Sequence, residues 1–166
     1  MLTLILMRHA KSSWDTPTLE DQDRPLNKRG QRGATAMGDW LRRIDVLPDQ
    51  TLSSSARRTM ETFEHLRLET PIAFSQTLYH AGAEVMHAAL RTAQPPCILM
   101  LGHNPGIAEF AERLLATPPD HPRFHDYPTC ATLIATFDAP DWSQIGWGAG
   151  IAARFATPHD MPPNQT

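Results

Sequence analysis

Residues 1–13 read MLTLILMRHAKSS, and residues 97–106 read CILMLGHNPG. In both stretches a short apolar run stops abruptly at polar or glycine residues, which is the pattern of a buried strand in a parallel sheet. The first run delivers Arg8 and His9, and the second delivers His103. Because ligands bind beyond the carboxyl ends of parallel strands, we expect these three side chains to share one crevice.

Strand-like and helix-like segments alternate along the rest of the chain. This alternation predicts an α/β protein with a largely parallel central sheet. Asn27 is the expected N-cap of the first helix. The pattern predicts strands at 2–7, 51–53, 71–74, 97–101, 132–137 and around 145–155, and helices at 27–43, 55–66, 82–92 and 105–116.

The length and charge of the chain restrict the class of protein. A chain of 166 residues has the size of one domain, which we assign to residues 1–155, followed by a polar, Pro-rich tail at 156–166 that we expect to be frayed. The net charge is −3 and both signs are mixed along the chain, which argues against a nucleic-acid partner.

The cysteine count and the apolar runs indicate the compartment. Cys97 and Cys130 have no spacing that suggests a disulfide framework or a zinc site, and a thiol-reducing compartment fits best. No apolar run reaches 18 residues, and the first seven residues lack the features of a signal peptide. We therefore expect a cytoplasmic protein with no membrane contact, no metal and no cofactor.

The first motif is Arg8-His9-Ala10-Lys11, directly after the first predicted strand. A neutral imidazole is a good nucleophile toward phosphorus, and an arginine fork holds two phosphate oxygens at once. The arginine also disfavours the imidazolium form of its neighbour, so the lone pair of His9 stays free. Taken alone, the motif fits an ordinary charged surface loop equally well.

Two further motifs point to an anion. Residues 53–62 read SSSARRTMET and place serines and arginines at the start of a helix, where free N–H groups favour an anion. His103 lies between a strand and a helix, with glycines that allow close approach. The alternatives are a capped amphipathic helix with solvated arginines and a loop histidine that bonds only to backbone.

Together the three motifs resemble the histidine phosphatase superfamily, also called the phosphoglycerate mutase-like group. That family has an Arg-His-Ala/Gly motif after its first strand, a Ser-x-x-x-Arg motif about fifty residues later and a Gly/Ser-His motif after a late strand. The segments at 8–15, 23–30 and 101–106 narrow the resemblance to the short phosphohistidine phosphatase subgroup typified by SixA. The resemblance covers residues 1 to about 155 and implies a three-layer α/β/α sandwich.

The resemblance assigns roles residue by residue. His9 matches the nucleophile that becomes phosphohistidine, and Arg8 matches the adjacent phosphate-binding arginine. Four residues after Ser54, Arg58 matches the second arginine, with Arg57 as the alternative register. His103 matches the second histidine, which binds the transferring phosphoryl group. Ser12, directly after the first motif, is a further candidate for substrate binding.

The general acid is not evident in the sequence. Many relatives use a carboxylate from the loop after the third strand, and Glu84 is the nearest carboxylate there, although it also suits a helix N-terminus. We expect His80 to be a surface or packing residue. Without an acid, phosphohistidine is favoured as substrate, because a phosphorylated imidazole has a better leaving group than a phosphate ester.

The resemblance therefore implies a phosphatase that acts on a phosphorylated protein, through a phosphohistidine intermediate and without a cofactor. One alternative is a phosphatase or mutase that acts on the phosphate ester of a small metabolite. Another is a module that binds a phosphorylated ligand without turnover. The complete set of Arg8, His9, Arg58 and His103 argues against this last alternative.

Overall fold

Six strands form one sheet in the structure, a computed structural model that describes residues 1–163. The strand order is β3-β2-β4-β1-β5-β6, and only β5 runs opposite to the others. The strands are β1 Leu2–Arg8, β2 Gln50–Ser54, β3 Ile72–Ser75, β4 Cys97–Gly102, β5 Thr132–Phe137 and β6 Ile151–Ala156. The helices are α1 Lys28–Arg43, α2 Arg57–Leu66, α3 Ala83–Arg91 and α4 Gly106–Leu114. The predicted α/β class and mostly parallel sheet are confirmed.

The two faces of the sheet are covered by different helices. Alternate residues of β1 point to opposite faces: Leu4 and Leu6 belong to one apolar core, and Ile5 and Met7 belong to the other. The first core is closed by α3 and α4, and the second by α1 and α2. The result is three layers, with the central strands β1 and β4 buried on both sides. No helix within residues 1–163 is long and apolar enough to cross a membrane.

Helix α1 begins where the sequence predicts and packs closely on the loop after β1. The Asn27 side chain accepts a hydrogen bond of 2.8 Å from the Gly30 backbone N–H, as an N-cap does. A Cβ atom at Gly30 would lie only 2.1 Å from the Lys11 carbonyl oxygen. Glycine is therefore required for the helix to approach the segment that carries His9 so closely.

The C-terminal region differs from the prediction in two places. The last strand was expected around 145–155 but begins only at Ile151, because residues 147 and 148 form a turn in which Gly148 has a φ of +73°. The strand then continues to Ala156, beyond the predicted start of the tail.

The described part of the expected tail is ordered rather than frayed. The Thr157 backbone N–H donates to the Asp160 carboxylate at 2.8 Å, and His121 contacts the same carboxylate at 2.8 Å. These contacts fix a short 3-10 helix, Pro158–Asp160, that packs against α1. Residues 164–166 lie outside the described residues.

Candidate active site

His9 lies directly beyond the carboxyl end of β1, next to the end of β4. Its backbone N–H donates to the Gly102 carbonyl at 3.1 Å, which fixes the register of the two strand ends. Its Nδ1 atom lies 2.7 Å from the Ala10 carbonyl oxygen. Because a carbonyl only accepts, Nδ1 carries the proton, and Nε2 of the neutral ring holds the free lone pair.

The surroundings of His9 keep its imidazole neutral. The residue is only 7% exposed, and burial lowers its pKa well below the usual range of histidine. The positive charges of Arg8 and Arg58 act in the same direction. His9 therefore combines the tautomer and the protonation state that a nucleophile at phosphorus needs.

His103 follows β4, and its ring centroid lies 5.3 Å from that of His9. The two histidines that follow the predicted strands therefore lie side by side. The Nε2 atom lies 2.7 Å from the Ser54 hydroxyl, and Nδ1 is buried without a hydrogen-bond partner within residues 1–163. Burial, followed by the charge of Arg58, lowers the pKa of His103 to about 3. With its proton on Nδ1, the neutral ring can donate to a phosphoryl oxygen.

Arg58, not Arg57, is the arginine that reaches the crevice from α2. Arg58 is 2% exposed, and its charge depresses the pKa of both His9 and His103. Arg57 points outward and pairs with Glu61 on the same helix at 2.6 Å. The Arg58 register predicted from the serine spacing agrees with this placement.

Arg8 is a partly buried cation with unused hydrogen-bonding capacity. Its Nη1 donates to the Tyr127 carbonyl at 3.2 Å, while Nε is buried and has no partner among the described residues. Burial and the nearby charge of Arg58 lower the pKa of Arg8. Two guanidinium groups that repel each other in this way favour an anion between them.

Asp21 joins the crevice from the polar loop between β1 and α1, a contact that the sequence did not predict. Its Oδ2 accepts hydrogen bonds from Arg58 at 3.0 Å, from His80 at 2.9 Å and from the Tyr79 hydroxyl. Burial alone would raise the pKa of Asp21, but these hydrogen bonds from Tyr79, His80 and Arg58 lower it well below the usual range. The carboxylate is therefore ionised and anchors the three side chains around it.

His80 is exposed, as expected of a surface residue, and its side chain also lies against the residues of this crevice. Its ring centroid lies 4.8 Å from that of His103, and its Nε2 lies 3.4 Å from Arg58 Nη2. The backbone φ of His80 is +50°, in the left-handed region that side chains other than glycine adopt rarely. Strained backbone of this kind costs about 1–3 kcal/mol and is concentrated at functional sites.

The loop that carries His80 is held against the start of α4. A Cβ atom at Gly106 would lie 1.8 Å from the Ala81 carbonyl oxygen, so this approach also requires glycine. The strand-end argument that predicted His9 and His103 would also have indicated His80, since His80 lies between β3 and α3. No comparable signal marks Asp21, because its loop has no periodic pattern.

Two other predicted site residues are directed elsewhere. The Ser12 hydroxyl is buried and accepts a hydrogen bond from Arg24, which in turn pairs with Asp21 at 3.0 Å. The Glu84 side chain is 83% exposed on α3, and its nearest cation is Arg113 on α4 at 3.8 Å. The structure therefore does not bring Glu84 to the crevice, because the first turn of α3 points its carboxylate toward solvent and α4.

Comparison with known proteins places the chain among phosphatases and uncharacterized relatives. A sequence profile of the histidine phosphatase superfamily (branch 1) matches residues 4–79. An uncharacterized chloroplastic protein of Arabidopsis thaliana is 34% identical over 67% of this chain, and this chain spans only 58% of that protein. An uncharacterized protein of Mycobacterium leprae is 33% identical over 63% of this chain and 68% of its own length.

The fold is shared with structures described as SixA. A structure described as SixA from Nakamurella multipartitia superposes with a TM-score of 0.82 at 24% identity, covering 95% of this chain and 96% of that one. A protein histidine phosphatase SixA complexed with tungstate gives a TM-score of 0.75 at 22% identity, covering 95% and 98%. With the profile match and the Mycobacterium leprae relative, these findings show that the chain belongs to the histidine phosphatase superfamily.

Proposed function

We propose that this protein is a phosphatase in which His9 attacks phosphorus and becomes transiently phosphorylated. The observation that carries the proposal is the pairing of His9 and His103, whose ring centroids are 5.3 Å apart at the ends of adjacent strands. One ring has a free lone pair on Nε2, and the other has an unpartnered, buried nitrogen. Arg8 and Arg58 add two positive charges beside them.

The reaction proceeds in two steps. The His9 Nε2 lone pair attacks phosphorus, the new N–P bond forms, and the bond from phosphorus to the leaving group breaks. Water then attacks phosphorus, the N–P bond breaks, and inorganic phosphate leaves while His9 returns to its neutral form. Arg8, Arg58 and His103 hold the non-bridging oxygens in both steps and stabilise the charge that develops on them.

The departing group needs a proton in the first step, and His80 is placed to supply it. Its Nε2 is held by the ionised Asp21 carboxylate at 2.9 Å, which fixes the position of the ring beside the crevice. Its ring lies beside that of His103, which binds the phosphoryl group in the proposed reaction. Asp21 acts here as a positioning residue, while His80 is the proposed proton donor.

The proposed substrate is a phosphohistidine side chain of a protein. The support is the likeness of the fold to structures described as phosphohistidine phosphatases, over nearly the whole of both chains. An imidazole leaving group also requires little assistance beyond one proton. The half-exposed side chain of His80, the proposed donor, agrees with this modest requirement.

A small phosphate ester is the second candidate substrate, and one observation favours it. The preference for phosphohistidine deduced from the sequence depended on the lack of an evident acid, and His80 provides a candidate for that role. With a proton donor in the crevice, alkyl and aryl phosphates are also accessible to the same two steps.

The test is to offer the purified chain a phosphohistidine protein, an alkyl phosphate and an aryl phosphate at equal concentrations. We expect kcat/KM to be highest for the phosphohistidine protein. Higher kcat/KM for the alkyl phosphate would establish the ester function instead. Phosphate release from none of the three, with wild-type folding intact, would contradict phosphatase activity altogether.

A further inference from the structure

A cavity of about 350 Å³ lies beside the crevice and takes no part in the steps above. We call it the cationic cleft. Four segments that are distant in sequence line it: the loop after β1, the first turns of α1, the loop before β5 and the short C-terminal 3-10 helix. Its volume lies within the range of pockets that bind small molecules or single side chains.

The lining of the cationic cleft is strongly positive, although the whole chain carries a net charge of −3. The charged residues that line it are four cations and one carboxylate, namely Arg8, Lys11, Arg29, Arg123 and Asp126. The carboxylate is already neutralised, because Asp126 pairs with Arg123 at 2.7 Å. The positive charge of the other three cations is therefore not compensated within the cleft.

Besides Arg123, which pairs with Asp126, the cations of the cleft that lie outside the phosphate crevice are Lys11 and Arg29. Within residues 1–163, neither lies within 4.0 Å of a carboxylate. The first turn of α1, where Arg29 lies, also contains Lys28 and no acidic residue. Cations at this end of a helix are unfavourable because they add to the positive end of its dipole, so an anion beside them would be stabilising.

Arg8 connects the cleft to the crevice. It precedes the nucleophile in the chain and its charge acts on His9, yet its side chain also lines the cleft. One molecule can therefore place a phosphoryl group at His9 and a second group in the cleft, on either side of the Arg8 guanidinium.

We propose that the cationic cleft binds a second anionic group of the substrate, a carboxylate or a phosphate next to the phosphoryl group that His9 attacks. This inference rests on the proposed phosphatase function and narrows its substrate class to molecules with at least two acidic groups. For a phosphohistidine protein the second group is an acidic side chain near the modified histidine. For a metabolite it is a carboxylate or a further phosphate of the same molecule.

The experiment compares matched pairs of substrates. The first pair is a phosphohistidine peptide with glutamates flanking the histidine and the same peptide with glutamines. The second pair is carboxyphenyl phosphate and phenyl phosphate. Each is assayed with the wild type, with the double variant Lys11→Gln/Arg29→Gln, and with Lys28→Gln. Lys28 is the matched control, an exposed cation in the same helical turn that does not line the cleft.

We expect the double variant to raise the KM for the acidic member of a pair relative to its neutral partner. Two exposed charge contacts correspond together to a change of at most roughly tenfold in this ratio. Lys28→Gln should leave the ratio at its wild-type value. A change in the peptide pair identifies an acidic side chain as the ligand, and a change in the aryl pair alone identifies a small acidic metabolite.

An unchanged ratio in both pairs, or an equal change with Lys28→Gln, would overturn the cleft proposal and leave the phosphatase function standing. Failure of the phosphatase function has a different signature, which is the absence of phosphate release from all four substrates by the folded wild-type protein. Binding of both peptides to His9→Ala by calorimetry provides a second readout, because it reports the acidic preference without turnover. Thermal unfolding of each variant shows whether the fold is retained.

Discussion

The two walls of the phosphate crevice are built in opposite ways. The strand-end wall consists of Arg8, His9 and His103 at the ends of β1 and β4, and its histidines are 7% and 2% exposed. The loop wall consists of Asp21, Tyr79 and His80, and the side chains of Asp21 and His80 are 44% and 48% exposed. The crevice thus combines a desolvated side with a side open to water.

This difference assigns different chemistry to the two walls. Burial on the strand-end wall disfavours the imidazolium form, so its two histidines remain neutral and one of them stays nucleophilic. On the loop wall the ionised Asp21 carboxylate holds the imidazole of His80, which we propose as the proton donor. One fold can therefore keep a nucleophile and a proton donor of the same residue type a few ångströms apart.

Removing the positive charge of Arg58, which contacts both walls, should lower kcat/KM more than the other changes considered below. Arg58 acts on His9 and His103 and also binds Asp21 at 3.0 Å. We expect Arg58→Met to lower kcat/KM by roughly 10²- to 10³-fold, the range found when one group that stabilises transition-state charge is lost. Steady-state kinetics with an aryl phosphate measures this effect.

Arg57→Met is the matched control for that experiment. Arg57 pairs with Glu61 on the surface of α2 at 2.6 Å, an interaction worth about 0.3–0.5 kcal/mol. We expect kcat/KM to stay within about twofold of the wild type, since Arg57 does not face the crevice. Equal losses in the two variants would contradict the assignment of Arg58.

The loop wall is tested by changing its proton donor. His80→Gln should lower kcat/KM by about 10²-fold for an alkyl phosphate, the usual contribution of a general acid. The loss should be much smaller for nitrophenyl phosphate, whose leaving group departs without a proton. Asp21→Asn should also lower kcat/KM more for the alkyl phosphate than for nitrophenyl phosphate, but by a smaller factor than His80→Gln does. An equal loss on both substrates would mean that His80 has only a structural role.

The strand-end wall is tested by the pH dependence of stability. Folded His103 stays neutral down to a pKa of about 3, whereas the unfolded residue takes up a proton near pH 6.5. The unfolded state therefore binds more protons between these values, and stability falls as pH drops below 6.5. From pH 6.5 to pH 5, His103 should cost the wild type about 2 kcal/mol.

Urea unfolding at pH 7 and at pH 5 measures that loss. We expect His103→Asn to lose about 2 kcal/mol less than the wild type between the two pH values. Burial also lowers the pKa of His87. This residue is present in both proteins, so its contribution to the pH dependence of stability cancels in the difference. Identical losses in the two proteins would show that His103 is not held neutral by its burial.

The smallest effect on activity is expected for a change at Glu84, which lies outside both walls. Glu84 is exposed and lies 3.8 Å from Arg113. We expect Glu84→Gln to change kcat/KM by less than about twofold and the free energy of unfolding by less than about 0.5 kcal/mol. A large, leaving-group-dependent loss in this variant would move the proton donor from His80 to Glu84.

The contrast between the strand-end wall and the loop wall also explains which site residues could be predicted from the sequence. The strand-end wall follows from two apolar runs and the residues directly after them, since strand order and parallel direction bring such positions together. Arg58 follows from its helical spacing to Ser54. The position of Asp21 in the loop wall depends on where the long polar loop at 8–25 folds back. No local pattern in these residues predicts that Asp21 reaches Arg58. Of the two roles considered for Glu84, the structure agrees with the helix N-terminus, and the sequence could not decide between them because the side of a helix turn that faces the crevice depends on packing against α4.

The most direct test of the account is to locate the phosphoryl group on the enzyme. Wild-type protein quenched in alkali during turnover of a labelled aryl phosphate should carry an acid-labile phosphate on Nε2 of His9, since Nδ1 is bound to the Ala10 carbonyl at 2.7 Å. Peptide mapping and phosphorus NMR identify the residue and the nitrogen, and His9→Ala should carry no label. Label on a serine or on His103, or undiminished turnover by His9→Ala, would contradict the central claim.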